Sequence, residues 1–265
     1  MESWEPSRGL LIVGHGTRDS QGVRAFLETV GQLAQALPEA AVEPCFLEFV
    51  HPTIGGGVER LVNRAIRRIV VVPLMLFAAG HVRRDIPTAV RRAAAFYPHL
   101  ELTLARHLGC PRGLVNLSER RFQQALGGRP EIAPEQTGLV LVGRGSDDPG
   151  ATAEMKEFAR IYRQVAPVAW MEVGFLDMAR PSLAETLATV AARPVRRIVV
   201  QPHLLFPGLL VRSVRRMVDD YARESREIDW VMTEPLGPDP LLVEAVVSAA
   251  RGLASVGGTA GRAQP

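Results

Sequence analysis

The sequence predicts an α/β fold made of two similar three-layer domains, each with a four-stranded parallel sheet. Two observations predict this fold. The 265-residue chain repeats itself once, and within each repeat short apolar runs alternate with segments that carry apolar residues at helical spacing. Strands that alternate with helices are joined by right-handed crossovers, so the strands lie parallel and helices cover both faces of the sheet.

The internal repeat has an offset of 129 positions, from Gly9 to Gly138, which falls to 128 late in the repeat, where Leu108 returns as Leu236. Residues 67–77 return at this offset as residues 196–206, with eight of eleven residues identical. Shorter blocks at residues 9–17 and 46–48 return in the same register. One register for several separate blocks indicates that the chain arose by duplication of a single unit.

The apolar pattern of the first repeat predicts its elements in order. Residues 9–14 are a short apolar run that ends at a glycine, which is typical of a buried strand. Residues 20–36 place apolar side chains at helical spacing and stop before Pro38. By the same criteria, the expected strands are residues 9–14, 42–49, 69–76 and 100–106, and the expected helices are residues 20–36, 55–66, 82–96 and 112–126. We expect the second repeat to follow the same order.

Composition along the chain predicts the domain boundaries. Glycine and proline are frequent over residues 127–137, which we interpret as a linker. It separates a first domain over residues 1–126 from a degenerate second domain over residues 138–254. Residues 255–265 are small and polar and are expected to form a flexible tail.

The overall composition is that of a globular protein without a membrane segment. Hydrophobic residues make up 47% of the chain and charged residues 22%, which is ordinary for packed domains. The longest apolar run, residues 69–79, is too short for a membrane helix, which needs about 20 residues. We therefore expect no membrane partner. The first ten residues contain no apolar run, so we expect no signal peptide and a cytoplasmic location. A net charge of +3 is too small to favour nucleic acid as a partner.

Three side chains with metal-binding groups follow strands of the first repeat. His15 follows the first expected strand, Glu48 lies at the end of the second, and His81 follows the third after Gly80. Ligands of open parallel sheets bind beyond the carboxyl ends of the strands, so these side chains are expected to meet there. Two imidazoles and a carboxylate suit a borderline divalent cation such as Fe, Co, Ni or Zn.

The second repeat lacks both histidines. Arg144 stands at the position of His15 and Leu210 at that of His81, while Asp177 replaces Glu48. Histidines required for folding should be present in both copies, so we infer one metal site, in the first half of the chain. The four other histidines have no comparable context and are interpreted as structural or surface residues: His51, His99, His107 and His203.

A cleft lined by guanidinium groups would suit a substrate with several carboxylates. Six residues near the expected site are candidates for substrate binding: Thr17, Arg18, Gly80, Arg83, Arg84 and Arg212.

Three motifs resemble those of the sirohydrochlorin chelatases, the class II tetrapyrrole chelatases. They are VGHGT at residues 13–17, FLEFVHPT at 46–53 and VPLMLFAAGHVRRDIP at 72–87. The resemblance implies a bilobal chelatase-like fold and the insertion of Fe2+ or Co2+ into sirohydrochlorin, for siroheme or cobalamin. It implies that His15 and His81 are the catalytic, metal-binding histidines, and that Glu48 is the carboxylate ligand.

In this interpretation the metal, Fe2+, Co2+ or Ni2+, is a substrate, and no cofactor is permanently bound. The partner is sirohydrochlorin or a related tetrapyrrole, and a monomer suffices because one chain supplies both lobes. Which histidine accepts protons stays open. A second function also stays open, that of a carrier which binds metal or tetrapyrrole without turnover. Phosphoryl transfer by a histidine phosphatase is a weaker alternative, because those enzymes carry arginine where this chain has Gly14.

Overall fold

The computed structural model describes residues 8–252, apart from the side chain of His81. The expected tail at 255–265 lies outside the described residues. The first half consists of β1 (Arg8–Gly14), α1 (Ser20–Ala36), β2 (Ala41–Phe46), α2 (Ile54–Asn63), β3 (Arg68–Pro73), α3 (Ile86–Phe96), β4 (Glu101–Leu104) and α4 (Arg112–Leu126). The second half consists of β5 (Thr137–Gly143), α5 (Pro149–Arg163), β6 (Trp170–Phe175), α6 (Leu183–Ala191), β7 (Arg197–Pro202), α7 (Leu209–Glu224), β8 (Asp229–Met232) and α8 (Pro240–Arg251).

Each half contains a four-stranded parallel sheet, so the predicted fold class is confirmed. The strand order is β2-β1-β3-β4 in the first half and β6-β5-β7-β8 in the second. The register of the strands is repeated as well. Gly9 of β1 pairs with Ala41 of β2, and 129 positions later Gly138 of β5 pairs with Trp170 of β6. The duplication seen in the sequence is therefore a duplication of the whole sheet.

The main differences from the expected elements lie at the carboxyl ends of strands. β2 ends at Phe46 rather than at residue 49, and β3 ends at Pro73 rather than at residue 76. The residues beyond these ends form the loops at the carboxyl edge of the sheet. The helix expected over 82–96 begins as a π-helical turn at His81–Asp85, which α3 continues. β5 begins at Thr137, the last residue of the expected linker.

The last helix of each half contacts the other half. α4 contacts α5 and β8 of the second half, while α8 contacts α1 and β3 of the first. The Gln201 side chain of β7 donates to the Ser118 carbonyl oxygen of α4 at 2.8 Å, and Arg121 of α4 donates to the Leu236 carbonyl oxygen at 2.7 Å. As a result, the inner faces of the two sheets share one apolar core, which runs from β1 and β3 through α4 and α8 to β5 and β7.

The outer face of each sheet is covered by helices of its own half. α2 and α3 cover the first sheet, and α6 and α7 cover the second. Burial on both faces explains why strands such as β1 are apolar throughout rather than alternating. None of the helices between residues 8 and 252 has the length and apolar character needed to cross a bilayer.

The imidazole of His203 lies in the shared core. It is 2% exposed and packs against the rings of Phe77, from the first half, and Phe158 of α5, with ring centroids 5.4 and 4.0 Å away. Neither ring nitrogen has a hydrogen-bond partner among the described residues. Burial lowers the pKa of His203 to about 3, so its ring is neutral in the folded protein near neutral pH.

We expect His203→Leu to make the stability of the protein less sensitive to acid. This variant copies Leu74, the residue at the equivalent position of the first half. Below the ordinary pKa near 6.5, the unfolded chain binds a proton at His203 that the folded protein does not bind until about pH 3. The stability that depends on the neutral ring of His203 is therefore fully present above pH 6.5. Below that pH the free energy of unfolding of the wild type falls by about 1.4 kcal/mol per pH unit through His203. Urea unfolding at about pH 7 and about pH 5 measures the difference, and equal losses in both proteins would contradict it.

Candidate active site

A cleft of about 720 Å³ lies between the two halves, at the carboxyl ends of both sheets. Its walls come from the loops that follow β1, β2 and β3 in the first half and β5, β6 and β7 in the second. Most of the lining is apolar, and six of its larger apolar side chains are Phe26, Phe46, Leu74, Phe77, Leu205 and Phe206. The volume is typical of sites for small-molecule ligands.

The ends of β1 and β2 bring His15 and Glu48 together. Gly14 and Phe46 are paired at the ends of the two strands. Backbone pairing continues one step further, since the Glu48 N–H donates to the His15 carbonyl oxygen at 3.1 Å. The side chains then lie side by side, with 3.2 Å between His15 Nδ1 and Glu48 Oε1. Both side chains are about one-third exposed and line the cleft.

A glycine at position 16 is required by this arrangement. Gly16 has a φ of +90°, and a Cβ there would lie 1.8 Å from the Glu48 carbonyl oxygen. The second half repeats the geometry at Gly145, where φ is +87° and a Cβ would lie 1.7 Å from the Asp177 carbonyl oxygen. Both halves thus keep the same tight backbone contact, although only the first carries an imidazole beside it.

The surroundings of His15 favour one tautomer. Its Nδ1 atom lies 3.1 Å from the Gly16 carbonyl oxygen and 3.2 Å from Glu48 Oε1, both of which are acceptors. A proton on Nδ1 satisfies these contacts and leaves the lone pair on Nε2 for a metal ion. A carboxylate behind a metal-binding imidazole also fixes the ring and raises its basicity.

The side chain of His81 lies outside the described part of the structure. Its backbone begins the π-helical turn His81–Asp85, and Ala79 and Val82 on either side line the cleft. Among the described side chains, which exclude His81, no group of three or more His, Cys, Asp or Glu residues could hold a metal ion. The ligand set of His15, Glu48 and His81 therefore stays a prediction.

The residues expected to bind substrate fall into two groups. Thr17 and Arg18 line the cleft, and the Arg18 guanidinium lies 4.9 Å from the centre of the Phe49 ring. Gly80 and Arg84 are not among the described residues that line it. Instead, a Cβ on Gly80 would lie 3.0 Å from Arg84 Nη2, so the small residue leaves room for that guanidinium.

Arg83 and Arg212 form ion pairs between the two halves. Arg83 Nε lies 3.4 Å from Asp148 Oδ2, and Arg212 Nη2 lies 2.5 Å from Asp19 Oδ2. The two pairs occupy equivalent positions in the repeat, and each aspartate accepts a backbone N–H at the start of its helix, α5 or α1. The hydrogen bond from Arg212 is the main cause that lowers the pKa of Asp19. Neither arginine lines the cleft, so their substrate contacts stay a prediction.

The second half contributes charge of its own to the cleft. Arg144, at the position of His15, is exposed and lines the cleft together with Asp177 and Leu210. The repeat alone shows Arg144 only as the residue that replaces a histidine. The signal that could have found it is its position in the repeat, since the residue equivalent to His15 lies at the equivalent strand end and faces the same cleft.

Two further features were missed because they depend on tertiary contacts. Phe49 is 57% exposed and has a φ of +62°, a strained conformation for a bulky residue, and it lines the cleft. His107, for which the sequence offered no partner, lies 2.9 Å through Nε2 from Glu154 Oε2 of the second half. A separation of 47 residues hides this contact from any local pattern.

Comparison with known proteins agrees with the predicted family resemblance. A sirohydrochlorin cobaltochelatase of Priestia megaterium is 29% identical over 236 residues, which cover 89% of this chain and 76% of the relative. A sirohydrochlorin ferrochelatase of Bacillus subtilis is 30% identical over 214 residues, or 80% of this chain and 79% of the relative. The solved structure of SirB from Bacillus subtilis with Fe3+ matches with a TM-score of 0.85 and 26% identity, and the match covers 95% of this chain and 98% of that chain.

The family assignment covers both halves of the chain. One family model, CbiX, matches twice, at residues 9–125 and again at residues 138–252. The two matches reproduce the duplication and together span most of the described residues. The chain therefore belongs to the CbiX family.

Proposed function

We propose that this protein is a chelatase that inserts Fe2+ or Co2+ into sirohydrochlorin. The observation that carries the proposal is the His15–Glu48 pair, which opens onto a cleft between two sheets. Relatives named sirohydrochlorin cobaltochelatase and sirohydrochlorin ferrochelatase support both the reaction and the two metals.

The metal is a substrate that the protein must bind and then release. His15, Glu48 and His81 are the proposed ligands, with His15 offering Nε2. Because Glu48 lies on the Nδ1 side of the His15 ring in this structure, its carboxylate has to turn away from Nδ1 to reach the same ion. Imidazole and carboxylate ligands suit Fe2+, Co2+ and Ni2+ alike, so geometry and supply decide which metal is used. Three protein ligands leave coordination positions open for the pyrrole nitrogens of the acceptor.

Insertion also requires the removal of protons. Sirohydrochlorin loses two pyrrole N–H protons as M2+ enters, so the balanced reaction yields metallated product and two protons. A neutral imidazole is suited to accept such a proton near neutral pH. The carboxylate of Glu48, 3.2 Å from His15 Nδ1, stabilises the imidazolium that would form on His15.

The cleft provides matching surfaces for the macrocycle. Its apolar lining, which includes Phe46, Phe77 and Phe206, packs against the flat ring. Arg18 of the first half and Arg144 of the second approach the cleft from opposite walls and pair with the acidic side chains of the ring. Because one chain supplies both walls, a monomer is sufficient for activity.

The insertion assay tests the proposal directly. Catalytic amounts of protein, mixed anaerobically with sirohydrochlorin and Co2+ or Fe2+, should produce many equivalents of metallated product, followed by absorbance. We expect His15→Ala to lower the rate at least about 100-fold, since it removes both a metal ligand and a candidate base. His99→Ala, at an exposed position away from the cleft, is the matched histidine control. Product limited to one equivalent per protein would indicate a carrier and overturn the proposal.

Gly16→Ala and Gly145→Ala form a matched pair that tests whether the metal site is confined to the first half. Each adds a Cβ within 2 Å of a carbonyl oxygen at a positive φ, so both should lower thermal stability by a similar amount. Only Gly16→Ala displaces Glu48 from His15, and we expect its Co2+ affinity to fall at least about 10-fold. Titration with Co2+ measures this. Equal weakening in the two variants would contradict a single site.

Arg144→Ala tests the role of the second wall. Loss of a charge-assisted hydrogen bond to a substrate carboxylate should raise the KM for sirohydrochlorin by about 10-fold or more. Co2+ affinity should stay unchanged, because Arg144 lies in the half that does not contain His15 and His81. A change in Co2+ affinity with no change in the KM for sirohydrochlorin would refute the assignment.

A further inference from the structure

The loop at residues 74–80 joins β3 to the π-helical turn that begins at His81. Three of its last four residues are small: Ala78, Ala79 and Gly80. Such a segment has few side-chain contacts of its own to fix its path, so its position depends on what holds its backbone. The position of the His81 backbone depends on it in turn.

A carboxylate of the second half holds this loop. Glu154 of α5 accepts the Ala78 N–H at 3.1 Å through Oε2. The same oxygen lies 2.9 Å from His107 Nε2, in the segment that follows β4. Glu154 is thus bound to two separate segments of the first half, and its side chain is only about one-third exposed.

The far side of the same segment is also fixed to α5. Arg83 Nε donates to the Ala78 carbonyl oxygen at 3.2 Å and lies 3.4 Å from Asp148 Oδ2 at the start of α5. A Cβ at Gly150 would lie 2.3 Å from Arg83 Nη2, so α5 leaves space for this guanidinium. Residues 78–83, with His81 between these contacts, are therefore held on both sides by one helix of the other half.

Comparison of the two repeats shows that the Arg83 contact occurs in both halves, whereas the Glu154 contacts occur on one side only. The ion pair Arg83–Asp148 has its counterpart in Arg212–Asp19, so it belongs to both halves. The contacts of Glu154 have none. Ala25 stands at the position of Glu154 and Pro207 at that of Ala78. Late in the repeat, where the offset is 128, Pro235 stands at the position of His107. Pro207 has no N–H to donate and Ala25 has no carboxylate to accept it, so the contact exists only where the loop leads to a histidine.

We propose that Glu154 is a positioning residue for metal delivery, through which the second half fixes the His81 loop of the first. This inference rests on the proposed function. Its physical basis is a hydrogen bond from a backbone N–H to a carboxylate, which is among the stronger hydrogen bonds in proteins. A partner of this kind behind a ligand-bearing segment acts on metal affinity without touching the metal.

Glu154→Ala and Glu154→Gln test the proposal, with Glu157→Gln as the control. Glu157 lies one turn along the same helix, is exposed and pairs only with Arg160 in the described structure. We expect Glu154→Ala to weaken Co2+ affinity and to raise the KM for the metal about 10-fold, with the KM for sirohydrochlorin unchanged. The visible spectrum of bound Co2+ should change as well. Glu154→Gln should recover part of the affinity, because its amide oxygen still accepts the Ala78 N–H, while Glu157→Gln should match the wild type.

Amide hydrogen exchange over residues 76–84 gives a readout that does not depend on metal or activity. Faster exchange in Glu154→Ala together with weaker Co2+ binding supports the positioning role. If the wild type inserts metal and Glu154→Ala has the same Co2+ affinity and metal KM, the positioning role is overturned while the proposed function stands. If the wild type inserts no metal, the proposed function fails. In that case, unchanged amide exchange over residues 76–84 in Glu154→Ala would overturn, by itself, the claim that Glu154 fixes the loop.

Discussion

The contact between the turn after β1 and the backbone after β2 is the constraint on which the site depends. Glu48 donates its N–H to the His15 carbonyl oxygen, and its own carbonyl oxygen closes onto Gly16 so tightly that no side chain fits there. Two polar side chains are thereby placed 3.2 Å apart by backbone geometry alone. A rigid sheet edge of this kind sets ligand positions more accurately than a free loop can.

Comparison of the two repeats separates the backbone geometry of this turn, which both share, from the side chains, which differ. The second half keeps the turn, the positive φ at Gly145 and the contact with the Asp177 carbonyl oxygen, yet it carries Arg144 instead of an imidazole. Backbone constraints were retained where they shape the cleft, and the side chains were free to diverge. Because α4 and α8 each pack against the opposite half, the two walls share one core that holds them in one arrangement.

The sequence predicts the sheets, and the positions of His15 and Glu48 at strand ends, because both depend on short-range signals. The apolar runs of β1 and β3, the repeat and the positions of His15 and Glu48 at strand ends all follow from local pattern and from the parallel topology. The packing of α4 and α8 against the opposite half does not follow from local pattern, since an amphipathic helix pattern does not indicate which sheet the helix covers. For the same reason the sequence does not reveal that Arg83 and Arg212 each pair with an aspartate of the other half.

The contacts that α5 makes with the first half are only partly matched by those of α1 with the second half. Two identical halves would hold each other through two identical sets of contacts, as Arg83–Asp148 and Arg212–Asp19 do. Glu154 breaks this symmetry, because its carboxylate meets an N–H in one loop where the other loop has Pro207. In the proposed function, the first half carries His15 and His81, while the second half holds the loop and the ring. A fused pair permits this division of roles, whereas a dimer of identical chains would have to keep every residue in both.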